Sequence, residues 1–569
     1  MTGEGAAAGW VATLPGAPGA EARAFAAELR TSITVAEVLL RRGLTEPAEV
    51  RRFFAPKLAE LTPPDEMAGR AEAAERLARA VETGERVCVF GDYDCDGITA
   101  AAILTGMLRS LGGEATPLLA SRFGGGYGVT AEAVERILGT GATLLVTCDC
   151  GSSDHASLRE VRARGVDVIV IDHHVVPDEP LPALAFLNPH RPECGFPYKG
   201  LASCGLVLSV GAALRAKLGR ALDLKSWLDL VALGTIADVA PLDGDNRALV
   251  RAGLGVLAEA RRPGVRALIE LAKLDAGRAL TAEDVAFRLA PRINAPGRMG
   301  SPDLALALLL AGSDVEARGL AARIEQLSVE RKTEQERLIA EAEAEIEREG
   351  WGSERAIVVG HHGWNHGLVG IVAGRLADRY RKPVAVVGFE GERGRGSVRA
   401  PAGSRLVDVL SSVSDVLVRY GGHQAAAGFE VETGRFAELR TRFAESVEKW
   451  SMGSPSSSAS SLGEVTRLCP EDELTRVVED LERLEPCGEG NPAPRIALEA
   501  SLVSARAVKG GHLKLDLAVS GGQRLSGFGP SMGERAESLG GRVLVVGRLA
   551  WNAWRGGRSV EIRVDAIDG

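Results

Sequence analysis

The chain of 569 residues has no apolar run long enough to span a bilayer and no cleavable signal peptide. A membrane-spanning helix is therefore not expected, and a cytoplasmic location is. Cysteine is sparse, eight residues without a repeated C-x-x-C spacing, so neither a zinc finger nor a disulfide scaffold is indicated. Cys148 and Cys150 flank Asp149 and could chelate a metal, but small buried cysteines around a strand end are the commoner case. Positive charge is in deficit: 67 Lys and Arg against 76 Asp and Glu give a net charge of −9. That balance argues against a protein that coats DNA generally, while leaving room for a local basic groove or an acidic metal site. Histidine is scarcer still, nine residues in all. What remains is ordinary for a globular chain, 45% hydrophobic and 25% charged, and its length implies two to four domains.

The pattern changes along the chain. Residues 1–70 are Ala/Arg-rich and helical in spacing, as in "TVAEVLLRRG". From about residue 75 to 240, apolar strands alternate with helices ("RVCVFGDYDCDG", "ATLLVTCDCG", "VDVIVIDHH"), which predicts a parallel sheet covered on both faces. Residues 312–350 end in "EQERLIAEAEAEIEREG" and predict one long charged helix joining two domains. A second, smaller α/β unit follows, with strands "AIVVG" and "PVAVVGF". "SMGSPSSSASSLG" (451–463) is a flexible linker by composition, and the last hundred residues alternate as short strands of a small β-barrel.

Two of the nine histidines stand side by side in "VIVIDHHVVP", immediately after a predicted strand. Core packing does not explain a matched pair, because neighbours on a strand point to opposite faces. Just past the strand both could face the crevice at the carboxyl edge of the sheet, where ligands of such folds bind. Other apolar segments end in carboxylates: Asp92, Asp94 and Asp96 in the first, Asp149 in the second, Asp172 before the histidines, and Asp238 after "LGTIA", read as a fourth strand. Aspartate is a common helix N-cap, which is a good account of any one of them but a poor account of all of them with a histidine pair. Converging carboxylates repel unless cations neutralise them. Oxygen donors with an imidazole suit Mn²⁺ or Mg²⁺, and two ions fit so many ligands, the arrangement used for in-line attack at phosphorus.

"GDYDCDG", "CDCG", "DHH" and "ADVAPL", in this order and spacing, resemble the DHH phosphoesterase superfamily. "RRFFAPKL", "PRINAPGRM", "GWNHGLVGIVAGRLADRY", "GGHQAAAGF" and "LEPCGEGNPAP" narrow the resemblance to RecJ-type single-strand-specific exonucleases. After the N-terminal helical segment (1–70), the resemblance implies a parallel-sheet DHH catalytic domain (71–265), a helical region with a connecting helix (266–350), an α/β DHHA1 domain (351–450) and, after the linker, an OB-fold barrel (464–569). It implies metal ligation by Asp94, Asp96, Asp149, His173 and Asp238, with Asp92 as a further ligand or adjacent carboxylate. His174 would contact the scissile phosphate, and water activated by the cations would be the nucleophile. The implied activity is 5′-to-3′ hydrolysis of single-stranded DNA to mononucleotides by a monomer, in repair and recombination. A RecQ-type helicase and a single-stranded-DNA-binding protein are the implied partners.

Arg122, Arg292, Arg298, Ser397 and Arg399 match positions where the family grips phosphates, and clustered guanidinium forks would let the site sense a 5′-terminal phosphate. Arg292, taken alone, reads better as a solvated surface charge or a structural ion pair. His423 in "GGHQAAAGF" is expected at a phosphate, although small residues there also suit tight helix packing. Trp551, Trp554 and Arg555 could stack bases, or the tryptophans could fill the barrel core. The sequence departs from the family at Gly124–Gly126, Ser203, Ser328, Asn365–His366 and Cys487; none of these is expected to touch a metal ligand. Two other readings are a phosphodiesterase of short RNAs or cyclic dinucleotides, for which a barrel is superfluous, and an inactive DHH-type nucleic-acid scaffold, for which the ligand set is too complete.

Overall fold

The computed structural model describes residues 14–274, 279–401, 403–422, 424–451, 464–552 and 559–569. Five short strands, β1 (Arg86–Gly91), β2 (Glu114–Leu119), β3 (Leu144–Cys148), β4 (Asp167–Ile171) and β5 (Ala185–Leu187), pair in parallel in the order β2-β1-β3-β4-β5. Every residue of β3 is buried, because helices cover both faces of the sheet, and that is why these strands read as continuous apolar runs. One face packs on a large core that includes the helices Cys95–Ser110, Ser203–Leu218 and Leu228–Ala237, and the other on the helices Ala131–Gly139 and His155–Ala163.

Asp238 does not follow a strand. It caps the carboxyl end of the helix Leu228–Ala237, whose residues 228–236 are all buried. A helix that is apolar all round has no periodicity to betray it, so this segment could not be told from a buried strand. Its close packing shows at Gly234, where a Cβ would come within 2.4 Å of Thr99 Oγ1 and 2.7 Å of Cys204 Sγ. The boundary expected at residue 265 also moves. It falls inside the helix Pro263–Leu271, and the apolar core of the first unit continues to Ile324.

The helix Asp314–Glu349 has 36 residues, about 54 Å at 1.5 Å per residue. Ala317, Ala321 and Ile324 bury into the first unit, whereas Leu338, Ala342 and Ile346 bury into the second. One rigid rod therefore belongs to two cores. The second unit is a mixed sheet in the order β6-β7-β8-β10-β9, formed by β6 (Ile357–His362), β7 (Val384–Glu390), β8 (Arg393–Arg399), β9 (Leu417–Gly422) and β10 (Ala426–Glu432). The small residues of 421–429 lie on and between two strands rather than on a helix. They let two antiparallel strands pass closely: Gly422 has φ +144°, and a Cβ there would sit 2.5 Å from Ala427 Cα.

Strands β12 (Arg495–Val508), β13 (His512–Val519), β14 (Arg524–Gly529), β15 (Arg542–Trp551) and β16 (Val560–Asp568) close a barrel through the β12–β15 pairing, with β11 (Val465–Arg467) added beside β12. The N-terminal helices lie against this unit. Ile33 and Thr34 donate their backbone N–H to the Asp472 carboxylate, and Arg42 pairs with Glu464. Arg247, nearly buried, stacks 3.7 Å over Phe53 and donates to the carbonyls of Leu484, Glu485 and Pro486, tying the first unit to both. Among the described residues no helix is long and apolar enough to cross a membrane.

Candidate metal centre

The carboxyl ends of β1, β3 and β4 open side by side, and the acidic residues that follow them turn inward. Asp94 is the N-cap of the helix Cys95–Ser110: its Oδ1 accepts from the N–H of Asp96 (3.0 Å) and Gly97 (3.2 Å). The ordinary capping role is therefore real for Asp94, and it uses one oxygen only. Asp96 is fully buried, and its two oxygens accept the backbone N–H of Ser203 (2.7 Å) and Cys204 (3.0 Å), the first residues of the helix Ser203–Leu218. Helix N-termini hold anions, so this one fixes the carboxylate in place. Asp92 is buried, and its Oδ1 has no hydrogen-bond partner.

Asp149 adopts the left-handed conformation (φ +65°), which re-aims the chain as β3 ends. His173 Nε2 lies 3.2 Å from Asp149 Oδ1 and 3.7 Å from Asp238 Oδ2, yet this buried nitrogen makes no hydrogen bond. Asp172 has another task. It accepts from the N–H groups of His173, His174 and Ser152 and from His174 Nδ1 (2.8 Å), so it orients the histidine pair. Burial would raise Asp172, but the His174 contact holds it below the usual carboxylate range. Burial likewise pulls His174 down, and the Asp172 carboxylate more than offsets this, raising the imidazole to about 9.

At Asp92, Asp96, Asp149 and Asp238 burial prevails over the contacts that lower them. Burial pushes Asp92 and Asp149 well above the normal range, aided by Asp94 in both cases, and it pushes Asp96 up as well. Asp238 is raised to about 8 by burial and then by Asp96 and Asp94. Three donor groups, each within 4.8 Å, overlap: Asp96–His173–Asp238, Asp149–His173–His174 and Asp92–Asp94–Asp149. All the residues expected as ligands thus line one continuous site. Buried, mutually repelling carboxylates beside an unpartnered imidazole nitrogen and an unpartnered Asp92 oxygen fit divalent cations.

One expectation is corrected here. Ser203 does touch the ligands, donating its hydroxyl to Asp149 Oδ1 at 3.2 Å. The apolar flank of "LASCG" conceals that the loop before this helix returns to the edge of the sheet. Tyr127 escaped the sequence reading altogether. Its hydroxyl lies 3.1 Å from the Asp149 carbonyl and 3.0 Å from His174 Nδ1. With Nδ1–H directed to Asp172, the phenol is left to donate to the carbonyl. The only local signal is the run Gly124–Gly126, which lets this loop fold back on the site.

A cavity of about 1000 Å³ lined by His173, His174, Asp238, Val175 and Leu184 opens on the centre. Beside the acids stands a cluster of opposite charge. The Arg122 guanidinium stacks 3.8 Å over the Tyr93 ring, and its Nε is buried without a partner. Arg298, on the helix Ala290–Met299, donates to the Gly367 carbonyl (3.3 Å) and is pushed down to about 9 by burial and then by Arg122. Arg399 donates to Ser397 Oγ (2.7 Å), and burial, then Arg122, lowers it. Among the described residues no carboxylate pairs with Arg122, Arg298 or Arg399. Arg292 is different: it makes a two-pronged ion pair with Glu325 (2.7 and 3.0 Å) and is structural. Asn365 accepts the Gly367 N–H and reaches the Arg298 carbonyl, while the His366 ring packs 4.6 Å from Phe123, joining the two units. Trp551 ends β15 and packs half-buried against the barrel core. His423, Trp554, Arg555 and nearly all of the Ser-rich linker lie outside the described residues.

Family models match in three places: the DHH family N-terminal domain over residues 86–235, the DHHA1 domain over 353–450 and the RecJ OB domain over 468–566. The chain is 34% identical to the single-stranded-DNA-specific exonuclease RecJ of Escherichia coli, covering 92% of this chain and 94% of that protein. It is 37% identical to that of Thermus thermophilus, covering 88% and 71%. Among solved structures, RecJ of Thermus thermophilus in complex with Mn²⁺ superposes with a TM-score of 0.81 at 33% identity, over 98% of this chain and 78% of that one. Its Mg²⁺ complex superposes with a TM-score of 0.74 at 31% identity, over 98% and 77%.

Proposed function

The chain belongs to the RecJ family of single-stranded-DNA-specific exonucleases, and on that premise we propose that it hydrolyses single-stranded DNA from the 5′ end, releasing mononucleotides. The observation that carries this reading is the pairing of a buried carboxylate–imidazole lining with an arginine cluster that, among the described residues, has no paired carboxylate. Asp92, Asp94, Asp96, Asp149, His173 and Asp238 would hold Mn²⁺ or Mg²⁺, in keeping with the metal complexes of the Thermus thermophilus protein. Two such ions, when bound, supply charge neutralisation and acidified water at the scissile phosphate.

The chain's own residues do the rest. Asp172 occupies His174 Nδ1, which leaves Nε2 of a charged imidazole free for a phosphate oxygen. Arg122, Arg298 and Arg399, with the Ser397 hydroxyl, form a desolvated anion site that suits a terminal 5′ phosphate. Placing that site beside the carboxylates supports both the polarity and release of one nucleotide at a time. The barrel, with Trp551 at its end, supports binding of the strand beyond the cleaved residue. The donor set is complete within one chain, which supports a monomer. The reading extends to work in the cytoplasm in DNA repair and recombination, beside a RecQ-type helicase and a single-stranded-DNA-binding protein.

The test is digestion of one single-stranded oligonucleotide labelled at either end, with Mn²⁺, with Mg²⁺ and with chelator. Immediate release of a labelled mononucleotide from the 5′ label alone, abolished by chelator, is expected. Release from the 3′ label first would overturn the polarity, and cleavage of di- to pentanucleotides only would move the protein to small substrates.

A further inference from the structure

Asp149 belongs to two of the three donor groups, and its backbone is left-handed, so its position has to be held from outside. Three contacts do so. Its N–H donates to the Ile171 carbonyl (2.9 Å), its carbonyl accepts from Tyr127 Oη (3.1 Å), and its Oδ1 accepts from Ser203 Oγ (3.2 Å). Only the last reaches the carboxylate. Ser203 is completely buried at the first position of the helix Ser203–Leu218, and its backbone N–H is already bound to Asp96 Oδ2 (2.7 Å). A single residue therefore grips two separate carboxylates, one through its backbone and one through its side chain, and sets the distance between them.

We propose that Ser203 is a positioning residue for the metal centre, and that its hydroxyl sets the balance between Mg²⁺ and Mn²⁺. The proposal rests on the metal-binding reading given above. The hydroxyl aims Asp149 Oδ1 and occupies part of its accepting capacity, so the carboxylate cannot rotate to meet an ion on the ion's terms. Mg²⁺ demands near-ideal octahedral geometry and gains most from ligands already in place. Mn²⁺ tolerates a looser set, so losing the hydroxyl costs it less. Partners that orient metal ligands are worth about ten- to a hundredfold in affinity.

The experiment is binding without DNA. Mn²⁺ is titrated into the full-length protein and the free ion is read by electron paramagnetic resonance; Mg²⁺ is then measured by displacement of Mn²⁺. Three proteins are compared: wild type, Ser203→Ala and the near-isosteric Ser203→Cys, each checked for an unchanged melting temperature before metal is added. In Ser203→Ala, Mg²⁺ affinity should fall about tenfold or more, and Mn²⁺ affinity by clearly less. Ser203→Cys, a weak donor, should fall between. Unchanged affinities for both ions, or equal losses, would overturn the proposal; should Ser203→Ala fail to fold, the Cys variant decides by the same criterion. Failure of the wild type to bind Mn²⁺ would instead sink the metal-binding reading itself, so the two failures are distinguishable.

Discussion

At the carboxyl edge of the parallel sheet, Asp92, Asp149 and Asp238 are pushed above the normal carboxylate range, while beside them Arg298 and Arg399 are pushed below the normal guanidinium range. The physical cause is the same in both clusters: burial, reinforced by neighbours of like charge. Elsewhere in the molecule a buried charge looks different. Arg76, 4% exposed, sits between Glu85 and Asp167 at 2.7 Å from each. There each charge finds its opposite inside the chain, and the cluster needs nothing more. Among the described residues, Asp92, Asp149 and Asp238 have no Lys or Arg partner and Arg122, Arg298 and Arg399 have no paired carboxylate, so the charges that would complete them come from outside: cations for one cluster and a phosphate for the other.

That contrast can be broken most directly at Asp149. Asp149→Asn should reduce cleavage of single-stranded DNA by more than about a hundredfold, since even partners of metal ligands matter that much. The same change should raise the melting temperature of the metal-free protein, because asparagine tolerates the left-handed backbone and removes one repelling charge. A fall in the metal-free melting temperature would mean that the acids are not in conflict without cations.

Removing a paired charge should do the reverse. Arg76→Met leaves the partly exposed Glu85 and Asp167 without their cation and should destabilise by about 1.5–3 kcal/mol, the worth of a hydrogen bond to a charged group. Arg298→Met, read by the same denaturant titration, should be neutral or stabilising. Comparable losses in both variants would erase the distinction drawn here.

At the arginine cluster, Arg399→Ala should weaken the preference for 5′-phosphorylated over unphosphorylated ends by about 1.5–3 kcal/mol, the worth of a hydrogen bond to a charged group. Arg292→Ala should leave that preference alone, because Glu325 already satisfies the guanidinium. Equal rates of decline on both kinds of end in Arg399→Ala would argue against the phosphate role.

The smallest effect concerns pH. Glu85 is lowered from 4.5 to about 2, chiefly by the Arg76 hydrogen bond, against an opposing effect of burial. A depressed carboxyl stabilises the fold fully above its unfolded value and loses that contribution as pH falls toward the folded one. Glu85→Gln should therefore be less stable than wild type at pH 7, with the gap closing between about pH 4.5 and 2. A gap that stays constant over that range would show that the pair contributes through shape rather than charge.

Much of the centre was legible in the one-dimensional order of residues. β1, β3 and β4 announce themselves as short apolar runs, and a parallel sheet delivers whatever follows them to one edge. Asp94, Asp96, Asp149, His173 and His174 meet there for that reason. Asp238 ends a helix rather than a strand, which its sequence does not betray, since a helix buried on every side has no amphipathic signature. Arg292 and Arg298 stand six residues apart on one helix in a single motif, and it is Glu325, arriving from the long helix, that makes Arg292 a structural arginine and leaves Arg298 uncompensated.

Local sequence by itself settled that β1, β3 and β4 are strands and that carboxylates follow them, and hence that acidic residues gather at one sheet edge, because these follow from patterns a few residues long. Tertiary structure alone decided which charges are compensated, that Ser203 and Tyr127 reach Asp149, and that the N-terminal helices rest on the barrel. Those outcomes depend on distances between residues up to several hundred positions apart, and the sign of a buried charge's contribution turns on what stands within a few ångströms of it.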